Sequence, residues 1–387
     1  MKARCEPFGG IISLENPPAL LFVDKEFMKS LGYASELWNI KQTYLSAPTE
    51  VHFSITNECP MGCSNCYVAA GEKLPNELTT DELKKSIDLL SEMGVFHIAF
   101  GGGEPFARRD FLGLAGYARG AEIVPNVTTN GYYITEEIAK RCRIFGQINV
   151  SMDGIGKKYE EVRGIDGFKI ADRAIELLVG AECKVGINCL ISRKNFDHLP
   201  ELVRYAELKG CNEIMLLRFK PSGRGSKLYE KMKLTQEQNE RFFSLLRDLS
   251  LTHEISIKTD CSFVPLICYH EPDKERLEFL SISGCEGGNS LAGITPTGKF
   301  SACSFCRSSG GHIFEFKEKW HASDHLKNFR KWISRAPEPC KLCEYLSICR
   351  GGCHVVAEFV FGDFFAPDPG CPKVNSSLNS TCVSSKF

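Results

Sequence analysis

The chain reads as an α/β protein built on a parallel sheet with right-handed crossovers, and three observations predict it. Short β-rich runs alternate with helical stretches from Val51 to about Ser256, an order that favours parallel pairing over hairpins. The motifs fall at the C-terminal ends of those runs, where ligand sites form in barrels and open α/β sheets. A cysteine triplet, Cys59-Pro-Met-Gly-Cys63-Ser-Asn-Cys66, follows the first run directly.

The expected strands are residues 51–56, 95–100, 123–128, 147–152, 184–191 and 213–217. The expected helices are 80–93, 136–142, 171–178, 199–209 and 235–249. In the first helix Leu83, Ile87 and Leu90 share a stripe at helical spacing, with Thr79 or Thr80 able to cap it. Ahead of the alternation, residues 6–23 read as two short strands around a turn, and 25–31 as the start of a helix.

Each strand end carries a distinct motif. The triplet follows the first strand, and Gly101-Gly102-Gly103-Glu104-Pro105 follows the second. Thr129-Asn130-Gly131 follows the third, Ser151-Met152-Asp153-Gly154 closes the fourth, and residues 188–195 cover the end of the fifth. Arg218-Phe219-Lys220-Pro221-Ser222-Gly223-Arg224-Gly225 follows the sixth. Six motif-bearing ends on one face describe a cofactor pocket better than six unrelated turns.

The triplet supplies three thiolates and no local fourth. Iron–sulfur clusters are normally held by four cysteines, so one iron is left open, as in a catalytic rather than a structural metal site. Structural zinc favours paired hooks that together give four ligands, which a gap of three then two fits poorly. A disulfide framework is disfavoured by an odd count of 19 cysteines in 387 residues and by an N-terminus without the apolar core of a secretory signal.

Composition narrows the class. Hydrophobic residues at 43% and charged residues at 25% are the ordinary balance of a soluble globular protein. No apolar run approaches the roughly 18 residues of a membrane span. A net charge of −1 gives no electrostatic case for a nucleic-acid partner. The expectation is a cytoplasmic protein, without membrane or nucleic-acid partners, whose reduced cysteines bind metal.

Over most of its length the sequence resembles the radical S-adenosylmethionine (SAM) superfamily, through the Cys59/Cys63/Cys66 triplet and Gly102-Gly103-Glu104-Pro105. The resemblance implies a partial (β/α)6, TIM-like barrel. It also implies a 4Fe–4S cluster on the triplet whose free iron chelates the methionyl amine and carboxylate of SAM. One-electron reduction then releases a 5′-deoxyadenosyl radical that abstracts hydrogen from substrate. By the same resemblance Gly102, Gly103 and Glu104 contact the methionyl amine, and Arg163 pairs with the methionyl carboxylate. Ser151 lies near the ribose, Asn188 and Leu190 serve the ribose and adenine region, and Asn130 joins the cofactor-binding set. Asn65 departs from the family pattern, which often has an aromatic residue or histidine before the third cysteine.

A second cysteine field spans 285–371: Cys285-x12-Gly298-x4-Cys303, then Cys340-x2-Cys343-x5-Cys349-x3-Cys353, then Cys371. It resembles the seven-cysteine SPASM domain, which carries auxiliary 4Fe–4S clusters. The resemblance implies Cys285, Cys303 and Cys353 for a first auxiliary cluster and Cys340, Cys343, Cys349 and Cys371 for a second. The first set is one ligand short, with Cys306 the nearest candidate and an open iron the alternative. Of the nine cysteines left, Cys5, Cys142, Cys183, Cys189, Cys211, Cys261, Cys268, Cys306 and Cys382, most read as small buried apolar residues.

The expected domains are an N-terminal extension at 1–47, a barrel at 48–255, a bridge at 256–284, a SPASM-like domain at 285–374 and a disordered tail at 375–387. The extension faintly resembles the leader-recognition fold of ribosomal peptide maturation, in which an edge strand captures the leader. The run at 218–225 resembles text in mycofactocin-type peptide maturases, and Arg218, Lys220 and Arg224 become candidates to meet a substrate carboxylate. These likenesses imply an oxidative peptide maturase, forming a crosslink or losing carbon dioxide, with auxiliary clusters relaying the electron. Its partners would be a precursor peptide, a reductant such as flavodoxin or ferredoxin, and in one arrangement a separate leader-binding protein. Two alternatives stay open: side-chain removal or decarboxylation on a haem or haem d1-type tetrapyrrole, which the run 361–372 resembles, and a non-catalytic iron–sulfur carrier or scaffold.

Overall fold

The computed structural model describes residues 2–15 and 18–376. Its centre is a sheet of ten strands, with β4 Glu50–Thr56, β5 His97–Gly102, β6 Val124–Thr129, β7 Ile148–Ser151, β8 Val185–Ile191, β9 Glu213–Arg218 and β10 Ser256–Thr259 side by side in chain order. Each of these pairs parallel to its neighbour, as the alternation predicts. The sheet stays open, with β10 as one edge.

The helices between strands form for local reasons. Helix α2 (Thr80–Glu92) starts at a capping box in which Thr79 and Glu82 satisfy each other's backbone, and it buries Leu83, Ser86, Ile87 and Leu90. Helix α3 (Phe111–Gly120) precedes β6, α4 (Glu136–Arg141) precedes β7, and α5 (Lys157–Arg163) and α6 (Phe168–Gly180) fill the next crossover. Helix α7 (Leu199–Leu208) enters β9, and α8 (Tyr229–Met232) and α9 (Gln236–Thr252) lead to β10. One continuous core runs beneath them, including Val51, Phe53, Ile55, Ile98, Phe100, Val127, Ile148, Val150, Ile187 and Ile214. Full burial of each such side chain contributes roughly 1.5–3 kcal/mol.

Several elements differ from the sequence reading. Helix α3 was not expected, because Gly113, Gly116 and Gly120 dilute its signal. Its buried stripe of Phe111, Leu114, Ala115 and Ala118 still packs on the core. Strand β10 adds a seventh parallel strand in a run, Ser-Ile-Lys-Thr, too short and polar to announce itself. On the opposite flank β11 (Leu291–Ile294) pairs parallel with β4, and β12 (Lys299–Ser301) and β13 (Gly311–His312) extend the sheet antiparallel. The second cysteine field is thereby stitched into the same sheet as the first.

The N-terminal segment is a three-stranded antiparallel sheet, β1 (Lys2–Glu6), β2 (Gly9–Glu15) and β3 (Pro18–Asp24), followed by α1 (Lys25–Ser30). The expected hairpin corresponds to β2 and β3, and β1 is the addition. Its charged residues point inward: Arg4 pairs with Glu6 at 2.7 Å and donates to the carbonyls of Ala47, Pro48 and Gly94. A strand that docks on the barrel through a buried ion pair lacks the apolar alternation a reader looks for. Cys382 and the greater part of the expected disordered tail lie outside the described residues.

Candidate metal centre

Strand β4 delivers the chain to the mouth of the sheet, and the loop beyond it carries Cys59, Cys63 and Cys66. The three thiols sit close enough for the charges of Cys63 and Cys66 to act on Cys59. Each sulfur has an N–H group within reach. Asn130 Nδ2 is 3.5 Å from Cys59 Sγ, Arg163 Nη1 is 3.7 Å from Cys63 Sγ, and the Ala70 amide is 3.3 Å from Cys66 Sγ. Burial pushes the Cys59 and Cys63 thiols up, so as free thiols they stay protonated. A positive metal centre reverses that preference, and the three donors then favour thiolate. Among the described residues no group of three or more His, Cys, Asp or Glu converges tightly enough for a single metal ion. A cubane gives each thiolate its own iron, and three neighbouring thiols, each with an N–H donor, supply the ligand type it needs.

Glu104 ties the ends of β5 and β6 together. It is completely buried, with Oε1 accepting the Thr129 hydroxyl at 2.8 Å and the Phe106 amide at 3.2 Å, and Oε2 accepting the Asn130 amide at 2.8 Å. Burial raises its carboxyl to about 7 against those three donors. Gly102 and Gly103 have a different reason from close approach of a ligand. A Cβ on Gly102, at φ +120°, would lie 2.4 Å from the Thr56 carbonyl, and one on Gly103 would lie 2.2 Å from the Glu58 carbonyl. The Gly103 and Glu104 amides donate to those same carbonyls at 2.7 Å each. The glycines let β5 press against the segment that launches the cysteine loop.

Asp153 is the residue the sequence reading passed over. It is fully buried after β7 and accepts the Leu190 amide at 2.7 Å on Oδ1. Its Oδ2 lies 2.9 Å from Arg163 Nε and 3.5 Å from Asn65 Nδ2. The Arg163 contact is an ion pair without hydrogen-bond alignment, so Nε stays unsatisfied as a donor. Arg163 also lies 5.2 Å over the Tyr159 ring. The signal available was a lone carboxylate just beyond an uncharged strand, Ile-Asn-Val-Ser.

Ser151 and Asn188 face each other across β7 and β8. Asn188 Nδ2 donates to Thr128 Oγ1 at 3.0 Å, while its Oδ1 is buried with no partner, an acceptor free for a hydroxyl. Leu190 is held at the same end of β8 through its own amide and carbonyl. Gly102, Gly103, Glu104, Asn130, Ser151, Arg163, Asn188 and Leu190 are thus gathered around strand ends on the side of the triplet.

The three cations expected to meet a substrate carboxylate are engaged by the chain itself. Arg218 is buried against Asp368, with Nη1 to Oδ2 at 2.6 Å and Nη2 to Oδ1 at 2.9 Å, and also donates to the Ser262 carbonyl. Lys220 is buried in an ion pair with Asp260 and lies 4.5 Å over the Phe305 ring. Arg224 donates to the carbonyls of Cys63 and Ala70, clasping the cysteine loop. Arg218, a buried guanidinium whose fork already holds a carboxylate, has no free face for a second, whereas Lys220 is held by Asp260 and Arg224 by two carbonyls.

The second field divides in space. Cys340, Cys343, Cys349 and Cys371 line a cavity of about 300 Å³, together with Cys268. Cys303, Cys306 and Cys353 pack into one apolar cluster with Val162 and Phe219. Cys142, Cys189 and Cys211 are buried core residues, as expected. The two fields touch where Tyr67, next to Cys66, meets Phe305 in a tilted contact with ring centres 4.9 Å apart. A separate cavity of about 460 Å³, lined by Arg193, Tyr229 and Gly370 among others, includes none of the triplet.

Comparison with known proteins agrees with this geometry. Residues 53–206 match the family model described as the radical SAM superfamily. The mycofactocin maturase MftC of Mycolicibacterium smegmatis is 29% identical over 339 residues, covering 84% of this chain and 83% of that protein. The Fe-coproporphyrin III synthase of Methanosarcina barkeri is 30% identical over 346 residues, covering 83% and 87%. Among solved structures, Streptococcus suis SuiB bound to S-adenosylmethionine superposes with a TM-score of 0.76 at 17% identity, over 96% of this chain and 98% of that one. SuiB has also been solved with its precursor peptide SuiA, at a TM-score of 0.74. With residues 53–206 matching that family model and a 30% identical relative spanned over 87% of its length, this chain belongs to the radical SAM superfamily and is an enzyme of that kind.

Proposed function

We propose that this enzyme oxidatively modifies a ribosomally made precursor peptide, using a SAM-binding cluster on Cys59, Cys63 and Cys66 and two auxiliary clusters in a SPASM-like domain at 285–374. The carrying observation is the outer edge of β3, which has no strand partner among the described residues. Phe22 is 55% exposed there, with Leu21, Phe27 and Phe8 beside it. An open edge flanked by apolar side chains suits capture of an extended peptide by strand addition. In this reading residues 1–47 recognise the leader, and a separate leader-binding protein is the alternative.

A SAM-bound 4Fe–4S cluster supplies the 5′-deoxyadenosyl radical that takes a hydrogen atom from substrate. Glu104, Gly102 and Gly103 hold the strand ends that would face the methionyl amine, and Arg163, balanced by Asp153 and beside Cys63, would meet the carboxylate. Asn188 Oδ1 offers an acceptor to a ribose hydroxyl beside Ser151, and Leu190 offers apolar surface to the adenine. Asn130 donates toward Cys59. With auxiliary clusters held in the second field, the Tyr67–Phe305 contact would lie on a path for the remaining substrate electron, and the net change would be a two-electron oxidation with loss of a proton.

The second reading, a tetrapyrrole substrate, is favoured by the identity with Fe-coproporphyrin III synthase. Incubating reconstituted enzyme with SAM, reduced flavodoxin, and either the peptide encoded by a short neighbouring reading frame or an iron tetrapyrrole that still carries its acetate and propionate side chains separates them. A peptide mass lower by two hydrogens, or by carbon dioxide together with two hydrogens, matched by 5′-deoxyadenosine, is expected. Turnover of the tetrapyrrole alone would overturn the peptide reading.

A further inference from the structure

The first auxiliary set lacks a fourth cysteine in residues 286–302, yet the fold brings one from outside the second field. We infer that Cys261 is the fourth ligand of that cluster, closing the set Cys285, Cys303 and Cys353; the inference rests on the auxiliary-cluster reading above.

Cys261 follows β10 after one residue, in the segment between the barrel and the second field. Two ties hold it against the other three. The Ser262 carbonyl accepts from Arg218, Arg218 holds Asp368, and Asp368 Oδ2 accepts the Cys353 amide at 2.8 Å. One buried ion pair therefore anchors both the residue after Cys261 and Cys353 itself. On the other side Lys220 pairs with Asp260, the residue before Cys261, while its ammonium lies over Phe305, between Cys303 and Cys306. The same Lys220 charge acts on Cys261, Cys303 and Cys353. Cys285 completes the group, since the charges of Cys261, Cys303 and Cys353 all reach it, with Cys261 foremost.

Cys306, the nearer candidate in sequence, has the wrong geometry. Its sulfur is 3.5 Å from that of Cys303, a contact between two thiols. Ligands on different irons of a cubane are held apart by the cluster between them. The contact suits a hydrogen bond from a protonated Cys306 to a ligating Cys303, a second influence on the potential alongside Lys220. On ligation the Cys261 thiol loses its proton to solvent and gives a sulfur electron pair to iron, with no change of oxidation state. The cluster so closed transfers electrons and does not bind substrate.

The test uses full-length protein with Cys59, Cys63 and Cys66 all changed to alanine, which removes the SAM-site iron, reconstituted and reduced without oxygen. Iron content and the electron paramagnetic resonance spectrum are read before and after adding cyanide, a ligand for open iron. Retained iron with no cyanide-induced shift in g values is expected, with a shift appearing on adding Cys261→Ala and none on adding Cys306→Ala. A shift while Cys261 is intact, or one created by Cys306→Ala, would overturn the assignment. Should the Cys261→Ala chain not fold, an unresponsive parent and an unresponsive Cys306→Ala variant still support Cys261. Absence of iron from the parent would overturn the auxiliary-cluster reading itself, a distinguishable failure.

Discussion

Asn130 Nδ2 stands 3.5 Å from Cys59 Sγ, while the backbone amide of Asn130 donates to Glu104 Oε2 at 2.8 Å. One residue at the end of β6 therefore links the buried carboxylate to the first cysteine. Its side-chain oxygen is occupied by the Tyr132 amide at 2.8 Å, which fixes the amide group so that the nitrogen faces sulfur.

That donor should raise the potential of a cluster on the triplet, since hydrogen bonds to sulfur stabilise the more negative, reduced state. A net hydrogen bond of about 1 kcal/mol corresponds to roughly 40 mV for one electron. Asn130→Ala should therefore lower the potential of the SAM-site cluster by about that amount in a redox titration. An unchanged potential would mean the contact is packing only.

Glu104 predicts a pH dependence of stability. Its ordinary value of 4.5 rises to about 7 through burial, opposed by the Asn130 amide, the Thr129 hydroxyl and the Phe106 amide. Between these values the folded chain keeps a proton that the unfolded chain has lost, so stability falls as pH rises through the window and levels off above it. The full effect is on the order of 3 kcal/mol. Denaturant midpoints measured across the window should show that downward slope in the parent and its loss in Glu104→Gln. Equal slopes in both would assign it to other groups.

The glycine pair makes a steric prediction with an internal control. Gly103→Ala sets a methyl 2.2 Å from the Glu58 carbonyl, a backbone atom that cannot swing aside. The loop must shift, at a cost of at least about 1–3 kcal/mol in backbone strain, and triplet iron and SAM cleavage should drop together. In α3 a methyl on Gly113 meets nothing within 4 Å, so Gly113→Ala should stabilise by roughly 0.5–1 kcal/mol. Equal iron content in the two variants would show that the close approach is dispensable.

The parallel strands β4 to β9 were legible because their apolar residues go to one core and their ends carry glycine, asparagine or cysteine. Strand β1 was not, since Arg4 and Glu6 are buried as a pair that mimics surface charge in the text. The two cysteine fields were legible through spacing. What spacing could not carry was partnership across the chain: Asp368 lies 150 residues from the arginine it neutralises. Arg218, Lys220 and Arg224 read as a basic pocket until their partners are seen. Cys261 read as a filler because nothing near it in sequence binds metal.

Arg218 and Asp368 give the sharpest contrast between a substrate-binding and a structural role. Their side chains are 6% and 0% exposed, and Asp368 also accepts the Cys353 and Gly370 amides at 2.8 Å each. Burial alone would raise the Asp368 carboxyl, but Arg218 holds it below the usual carboxylate range. Its contribution is therefore present above the unfolded value and lost as pH falls through the folded one. Removing one partner strands a buried charge, so Arg218→Met should destabilise by about 3–5 kcal/mol, whereas pairing it with Asp368→Leu should recover much of the loss. Because Asp368 steadies Cys353, the single variant should also lose auxiliary iron while keeping iron at the triplet. Urea midpoints and iron content on the two variants check this directly. An Arg218→Met enzyme with unchanged stability and a raised KM for substrate would return the residue to the substrate pocket.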